Sequence, residues 1–288
     1  MASDRLRMLG GAGFRNPRLL MGLSGWMDGA EISTGTIKVL VDKLHAQRIA
    51  EIDPEGFYIY NVPAAMEVAS FFRPHCRIRK GIVREFLFPD NAFFGVEGDD
   101  LILSSGKEPN MNWVDYGDCV FALCQQLHVK SIYFIGSVAG LVPHTRDPML
   151  FCSVSDAQMK PRFEGYGMKF SDYQGPASVI TYLTTRAKEQ NVEMASIVAS
   201  VPAYVQGPNP KCIVAATRRI AGILGIRVDL DDLQASADEF EKKLSEIVLE
   251  QPELAENIVK LEQDYDNEIF SEMGDLKNWL HQKGIRLD

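Results

Sequence analysis

The stretch LLMGLSGWMDGAE, Leu19 to Glu31, sets the fold class. LLMGL is a short apolar run and reads as a buried strand, stopped by Ser24-Gly25. A helix is expected from about Gly29 to Leu44, where Ile32, Thr36, Val39, Leu40 and Leu44 fall near a 3.6-residue spacing. Asp28 with Glu31 three residues on fits a capping box in which Asp replaces Ser or Thr.

The same alternation continues outward. Further strands are expected at FYIY (57–60), VREFLF (83–88), LILSS (101–105), SIYFIG (131–136), LFCSVS (150–155) and ASIVASV (195–201). Helical patterns lie at Trp113–Leu127, Ala177–Glu189 and Pro210–Leu224, the last opened by Asn209 as cap and Pro210 at the first helical position. Repeated strand–helix–strand units imply right-handed crossovers, so the expected fold is α/β, a three-layer α/β/α sandwich with a mostly parallel sheet. Residues 73–100 look like an antiparallel insertion.

After Asp229 the character changes. Leu233, Ala237, Phe240, Leu244 and Ile247 form an a/d seam, and beyond Pro252 it resumes at Leu254, Ile258, Leu261 and Tyr265. The expected organisation is a core domain, 1–228, followed by an acidic helical hairpin or arm, 229–288. A third amphipathic stretch is expected around Leu276 to Leu280. One helix pair buries too little to stand alone, so the arm must pack on its own core or on another subunit.

The chain has 288 residues, 46% hydrophobic and 24% charged, which suits one large domain or a domain with an appendage. Its net charge of −9 argues against non-specific nucleic-acid binding. Asp229 to Asp275 holds 16 acidic residues against 3 lysines, so the remainder is net basic. RPHCRIRKGIVR, Arg73 to Arg84, is the conspicuous basic run: a solvated loop and strand, or a contact for an anion or for the acidic tail of a neighbouring subunit. No apolar run reaches the roughly 20 residues that span a bilayer, and the N-terminus lacks a signal-peptide core. A soluble, cytoplasmic protein is expected. Five cysteines without a CxxC speak against a disulfide framework or a zinc ribbon. No HExxH, His–Cys cluster or DxD points to an intrinsic metal site.

In open α/β sheets ligands bind beyond the carboxyl ends of the strands, and three loops fall there. Ser24 to Glu31 carries Gly25, Trp26 and Asp28 at a helix start, where backbone N–H groups could hold an anion. It is neither a P-loop nor GxGxxG, and a tight turn plugged by Trp26 explains it as well. Ser104 to Trp113 offers Glu108 as base, metal ligand or helix cap beside Trp113. VPHTRDP, Val142 to Pro148, sets His144 and Arg146 between two prolines that restrict the backbone. Such a frame presents preorganised donors to an anion, a carboxylate or an amide; alternatively Arg146 pairs with Asp147, Asp156 or a tail carboxylate, and His144 bonds a backbone carbonyl. Tyr173 in SDYQGP lines the same crevice or closes a turn.

GWMDGAE, GKEPNMNW, VPHTR, YQGP, VPAYV and NP, in this order, resemble the proteasome assembly chaperone family, specifically relatives of its second chaperone. The resemblance covers about Pro17 to Asp264. It implies a three-layer α/β/α fold, phosphorylase- or hydrolase-like, and a homo-oligomer, with trimers among bacterial members. It implies a scaffold or assembly function, although members also carry ATP-grasp-like or carboxylate–amine ligase labels. It supplies no catalytic residues and no cofactor. The family loops match Trp26, Asp28, Glu108, Trp113, His144, Arg146 and Tyr173. Met27 stands where many relatives have Asn, and the chain ends GIRLD without the penultimate tyrosine that docks into a proteasome ring. Two functions follow: an assembly scaffold, or an enzyme of the carboxylate–amine ligase or nucleoside- and phosphate-binding type.

Overall fold

The computed structural model describes residues 2–10 and 13–282. In chain order these are β1 (Leu6–Met8), β2 (Arg18–Ser24), α1 (Ile32–Lys43), β3 (Gln47–Ile52), α2 (Met66–Ser70), β4 (His75–Arg79) and β5 (Ile82–Leu87). There follow β6 (Asn91–Val96), β7 (Leu101–Lys107), α3 (Trp113–Gln126), β8 (Ser131–Gly140), β9 (Leu150–Val154), α4 (Lys160–Glu164) and β10 (Lys169–Phe170). The chain continues through α5 (Val179–Ala187), β11 (Glu193–Pro202), α6 (Pro210–Leu224), α7 (Asp231–Leu249) and α8 (Pro252–Gln282).

β2 lies inside the main sheet, whose order is β1-β3-β6-β7-β2-β8-β11-β9-β10. Its alternation feeds two cores. Leu19, Met21 and Leu23 point to the side of Tyr116, Val120 and Leu183, from α3 and α5. Leu20 points to the side of Ile37, Leu40 and Ile220, from α1 and α6. The result is an α/β/α arrangement with a C-terminal helical extension. Ser33, fully buried at the start of α1, fastens that helix to the sheet. Its Oγ accepts from the Leu23 N–H at 3.0 Å and donates to the Ile135 carbonyl at 2.6 Å.

The expectation of a mostly parallel sheet is overturned: the sheet is mixed. β7, β2, β8 and β11 run parallel, but β1–β3, β3–β6, β6–β7 and β9–β11 are antiparallel. The link from β6 to β7 is one short turn, too short for the crossover a parallel pair requires. QRIAEI alternates too weakly to read as a strand, whereas NAFFGV lies within the stretch 73–100 expected to be antiparallel and pairs antiparallel with both β3 and β7 inside the main sheet. FYIY forms no strand. Phe57 is instead a core plug, edge-on to Tyr116 with ring centroids 5.6 Å apart. Residues 73–100 divide between a separate hairpin, β4–β5, and the sheet strand β6.

The main sheet ends in very short strands, β1 at one edge and β10 at the other. The arm helix α7 packs on α6, where Ala237 meets Val214 and Leu230. Val248, Ile258 and Tyr265 turn inward, whereas Ile247 of the predicted seam is exposed. The stretch around Leu276 is no separate element, because the α8 backbone runs through it.

Gly22 is the tightest point of the β2–α1 packing. A Cβ there would sit 2.4 Å from Ile37 Cγ1 and 2.6 Å from the Ser33 carbonyl oxygen, which is backbone and cannot swing away. Gly22→Ala is expected to cost about 1–3 kcal/mol by overpacking, read as a lowered midpoint with unchanged slope in urea unfolding.

Candidate functional site

The carboxyl ends of β2, β7, β8 and β11 carry the loops singled out from the sequence. The loop after β2 is held in an unusual shape. Ala30 and Glu31 both adopt left-handed φ values, 54° and 56°, which non-glycine residues enter at a cost of about 1–2 kcal/mol each. Three bonds impose it. Ser137 Oγ donates to the Gly29 carbonyl at 2.6 Å, the Asn209 N–H donates to the Ala30 carbonyl at 3.0 Å, and Asp28 pairs with Ser137 in a short β-bridge. Asp28 does not form the expected capping box. Its carboxylate accepts from the Thr34 N–H at 3.1 Å and from the Thr34 hydroxyl at 2.8 Å, one turn further in. Burial raises its pKa, against those hydrogen bonds, which lower it.

Glu108 closes this loop from the β7 side. One carboxylate oxygen accepts from the Trp26 N–H at 3.0 Å and the other from the Val179 N–H at 3.1 Å. Gly25 is required there, because its φ is +136° and a Cβ would lie 3.0 Å from Glu108 Cβ. The hollow beside Glu108, lined by Leu23, Met27, Phe134, Ser178 and Ile180, does not admit a water molecule. Trp26 stays exposed, and so does Tyr173, whose hydroxyl donates to the Pro176 carbonyl at 3.2 Å. Trp113 Nε1 donates to the Pro109 carbonyl at 2.8 Å, bracing the loop before α3.

The VPHTR loop faces the arm. His144 is only 4% exposed, which for an imidazole demands partners. Tyr204 accepts from the His144 backbone N–H at 2.7 Å and lies 2.9 Å from ring Nδ1; Ser245 Oγ of α7 lies 3.0 Å from Nε2. A neutral ring satisfies all of these: the Tyr204 proton goes to Nδ1, and Nε2–H goes to Ser245. Burial lowers the His144 pKa and pushes Tyr204 up to about 12. Thr145 donates to Glu262 of α8. Arg146 grips Asp266 with two parallel bonds of 2.9 and 2.8 Å, and that bond holds the Asp266 carboxyl below its ordinary range. Tyr265 donates to the Asp147 carbonyl at 2.9 Å, and Lys211 bridges the His144 carbonyl and Glu241, at 2.9 and 2.8 Å.

Six of the eight residues therefore fall into two groups on one sheet end. Gly25, Trp26 and Glu108 are in direct contact, with Asp28 in the same loop. His144 and Arg146 contact the arm, linked to the first group through the Ala30–Asn209 bond at the head of α6. Trp113 and Tyr173 bond within their own loops. A crevice that motif reading did not assemble lies beside the first group. Its volume is about 390 Å³, between Ser24, Ser105 and Lys107 at the strand ends and Arg73, His75 and Phe88 of the hairpin segment. Burial lowers the Lys107 pKa, and its Nζ donates to the Phe71 carbonyl at 2.6 Å. The one sequence signal for it was the basic run from Arg73. Among the described residues no three His, Cys, Asp or Glu side chains converge as metal ligands, and no helix is long and apolar enough to cross a membrane.

The layered α/β/α domain of this chain has counterparts among solved structures. The chain belongs to the PAC2 family, whose model matches residues 22–248. A Mycobacterium tuberculosis proteasome-assembly chaperone homologue is similar at 28% identity and a TM-score of 0.72, over 84% of this chain and 99% of that one. A second M. tuberculosis protein, of unknown function, shares the fold at 21% identity and a TM-score of 0.78, over 94% and 90%. So does Pyrococcus furiosus PbaB, an archaeal proteasome activator, at 17% and 0.61, over 84% and 97%. No functionally curated protein matches.

The Arg146–Asp266 pair ties α8 to the VPHTR loop. Arg146→Ala is expected to speed amide exchange of residues 252–266 several-fold while the sheet amides are unchanged. The clasp also depends on pH. The folded His144 pKa lies below its ordinary 6.5, so its contribution is complete above 6.5 and is lost as pH falls toward the folded value. Lys211 adds to this by repelling the imidazolium, and Glu241 and Glu262 oppose it. Arm protection is expected to decline below pH 6.5 in the native chain and to be flatter in His144→Gln.

Proposed function

We propose that this chain is a non-catalytic scaffold of the proteasome-assembly-chaperone type, acting in the cytoplasm as a homo-oligomer. Family membership supports the assembly function. One observation carries the non-catalytic reading. At the strand ends, where an α/β enzyme keeps polar groups free for a ligand, this chain spends them on itself. Glu108, the carboxylate a ligase would give to magnesium, is occupied by two backbone amides. His144 and Arg146 are occupied by the arm. The same groups used as braces make a rigid platform for a protein partner.

A second reading, a small anion in the crevice at Lys107, is favoured by that half-buried cation beside Arg73 and His75. Two measurements divide the readings. In a thermal-shift panel of ATP with magnesium, nucleosides, phosphate and small carboxylates, the scaffold reading expects no nucleotide shift. A true ligand at 100 times its Kd adds about 2.7 kcal/mol, and an ATP response of that size would overturn the scaffold reading. Co-elution of the full chain with isolated proteasome subunits, but not with the assembled particle, is the expected positive result. No co-elution at micromolar concentrations of both would refute the assembly role.

A further inference from the structure

Nine of the 21 exposed large apolar side chains among the described residues lie between Met66 and Phe88, in only 23 residues. That density marks an interaction surface. It belongs to α2 and the β4–β5 hairpin, which forms a sheet of its own. Directly opposed residues share a face, so Cys76–Phe86 and Ile78–Val83 place four apolar side chains on one side of the ribbon, all exposed. The other side and the bulge carry Arg77, Arg79 and Arg84, together with exposed Ile82 and Leu87; Arg77 is paired with Glu85 at 3.4 Å, which leaves Arg79 and Arg84 as the outward charges of the ribbon. A two-stranded ribbon is marginally stable alone in water and needs a covering layer.

The complement is present in the same chain. At the end of α7, Ile247 and Leu249 are 52% and 76% exposed; helical spacing puts the exposed Glu246 and Glu250 between them, and exposed Glu253 follows at the start of α8. The hairpin offers apolar groups framed by arginine; the arm tip offers apolar groups framed by glutamate. The hairpin projects from the β2–β7 side of the sheet end, whereas the arm is clasped by α6 and the VPHTR loop.

We propose that the β4–β5 hairpin of one copy docks on the α7–α8 tip of the next. The contact is heterologous, joining unlike surfaces head to tail. It rests on the homo-oligomer reading and names the surfaces that would build it. Burying the apolar face supplies the affinity, and the arginine–glutamate frame fixes partner and orientation.

The test is the mass of the full chain by light scattering and sedimentation at low and high salt. The native chain is expected to be an oligomer that loosens with salt. Arg79→Glu/Arg84→Glu and, separately, Glu246→Lys/Glu250→Lys are expected to raise the dissociation constant at least tenfold, with unchanged circular dichroism. The chain carrying all four substitutions, with both signs exchanged, is expected to recover the oligomer. A native chain that is monomeric at 100 μM overturns oligomer and surface together, and flotation of that monomer with anionic vesicles would assign the basic ribbon to lipid instead. An oligomer indifferent to both reversals, or not recovered by the fourfold exchange, overturns this surface and leaves the oligomer and the chaperone reading standing.

Discussion

Everything else in the fold is arranged around keeping both faces of β2 dry. Leu19, Leu20 and Met21 are fully buried, and no single layer of helices can bury both sides of a strand. Two helical layers follow by necessity, and the strand must lie inside the sheet. Burial at that depth also sets how close the layers come. Gly22 lets α1 descend onto the strand, and Ser33 repays the desolvated Leu23 amide within the same turn. The β2–α1 loop starts from that contact, and the bonds from Ser137 and Asn209 then hold its two left-handed residues in place.

The strand-end loops inherit fixed starting points and use them as braces. Asn209 caps α6 through the Cys212 N–H and also donates its own backbone N–H to Ala30, so one residue joins a helix start to the strained loop. Two residues further, Lys211 reaches the VPHTR loop. The path from β2 to the arm thus runs through hydrogen bonds of 2.8–3.1 Å with little slack. Prolines 143 and 148 contribute by restricting the backbone before binding, so little entropy is lost when His144 and Arg146 seat on the arm.

Much of this was legible in the sequence where one residue pattern has one physical solution. The run Leu19–Leu23, the Asn209-Pro210 helix start and the apolar positions Ile258 and Tyr265 appear in the structure as such. The sheet's mixed direction was not legible, because strand direction is set by connection length and by strands whose own patterns are weak. Gln47–Ile52 alternates too little to stand out, and Phe57 to Tyr60 has strand composition without strand pairing. The roles of Glu108 and Arg146 were ambiguous for a different reason. A carboxylate or guanidinium has the same identity whether it meets a ligand or a backbone amide, and only three-dimensional proximity tells which.

The short border strands have a consequence for growth. β1 pairs over three residues and β10 over two, so neither rim of the sheet offers enough backbone to template an incoming strand. Cross-β polymerisation through the main sheet is thereby denied. Contacts between copies then fall to surfaces matched in shape and charge rather than to strand addition at the rims of the main sheet.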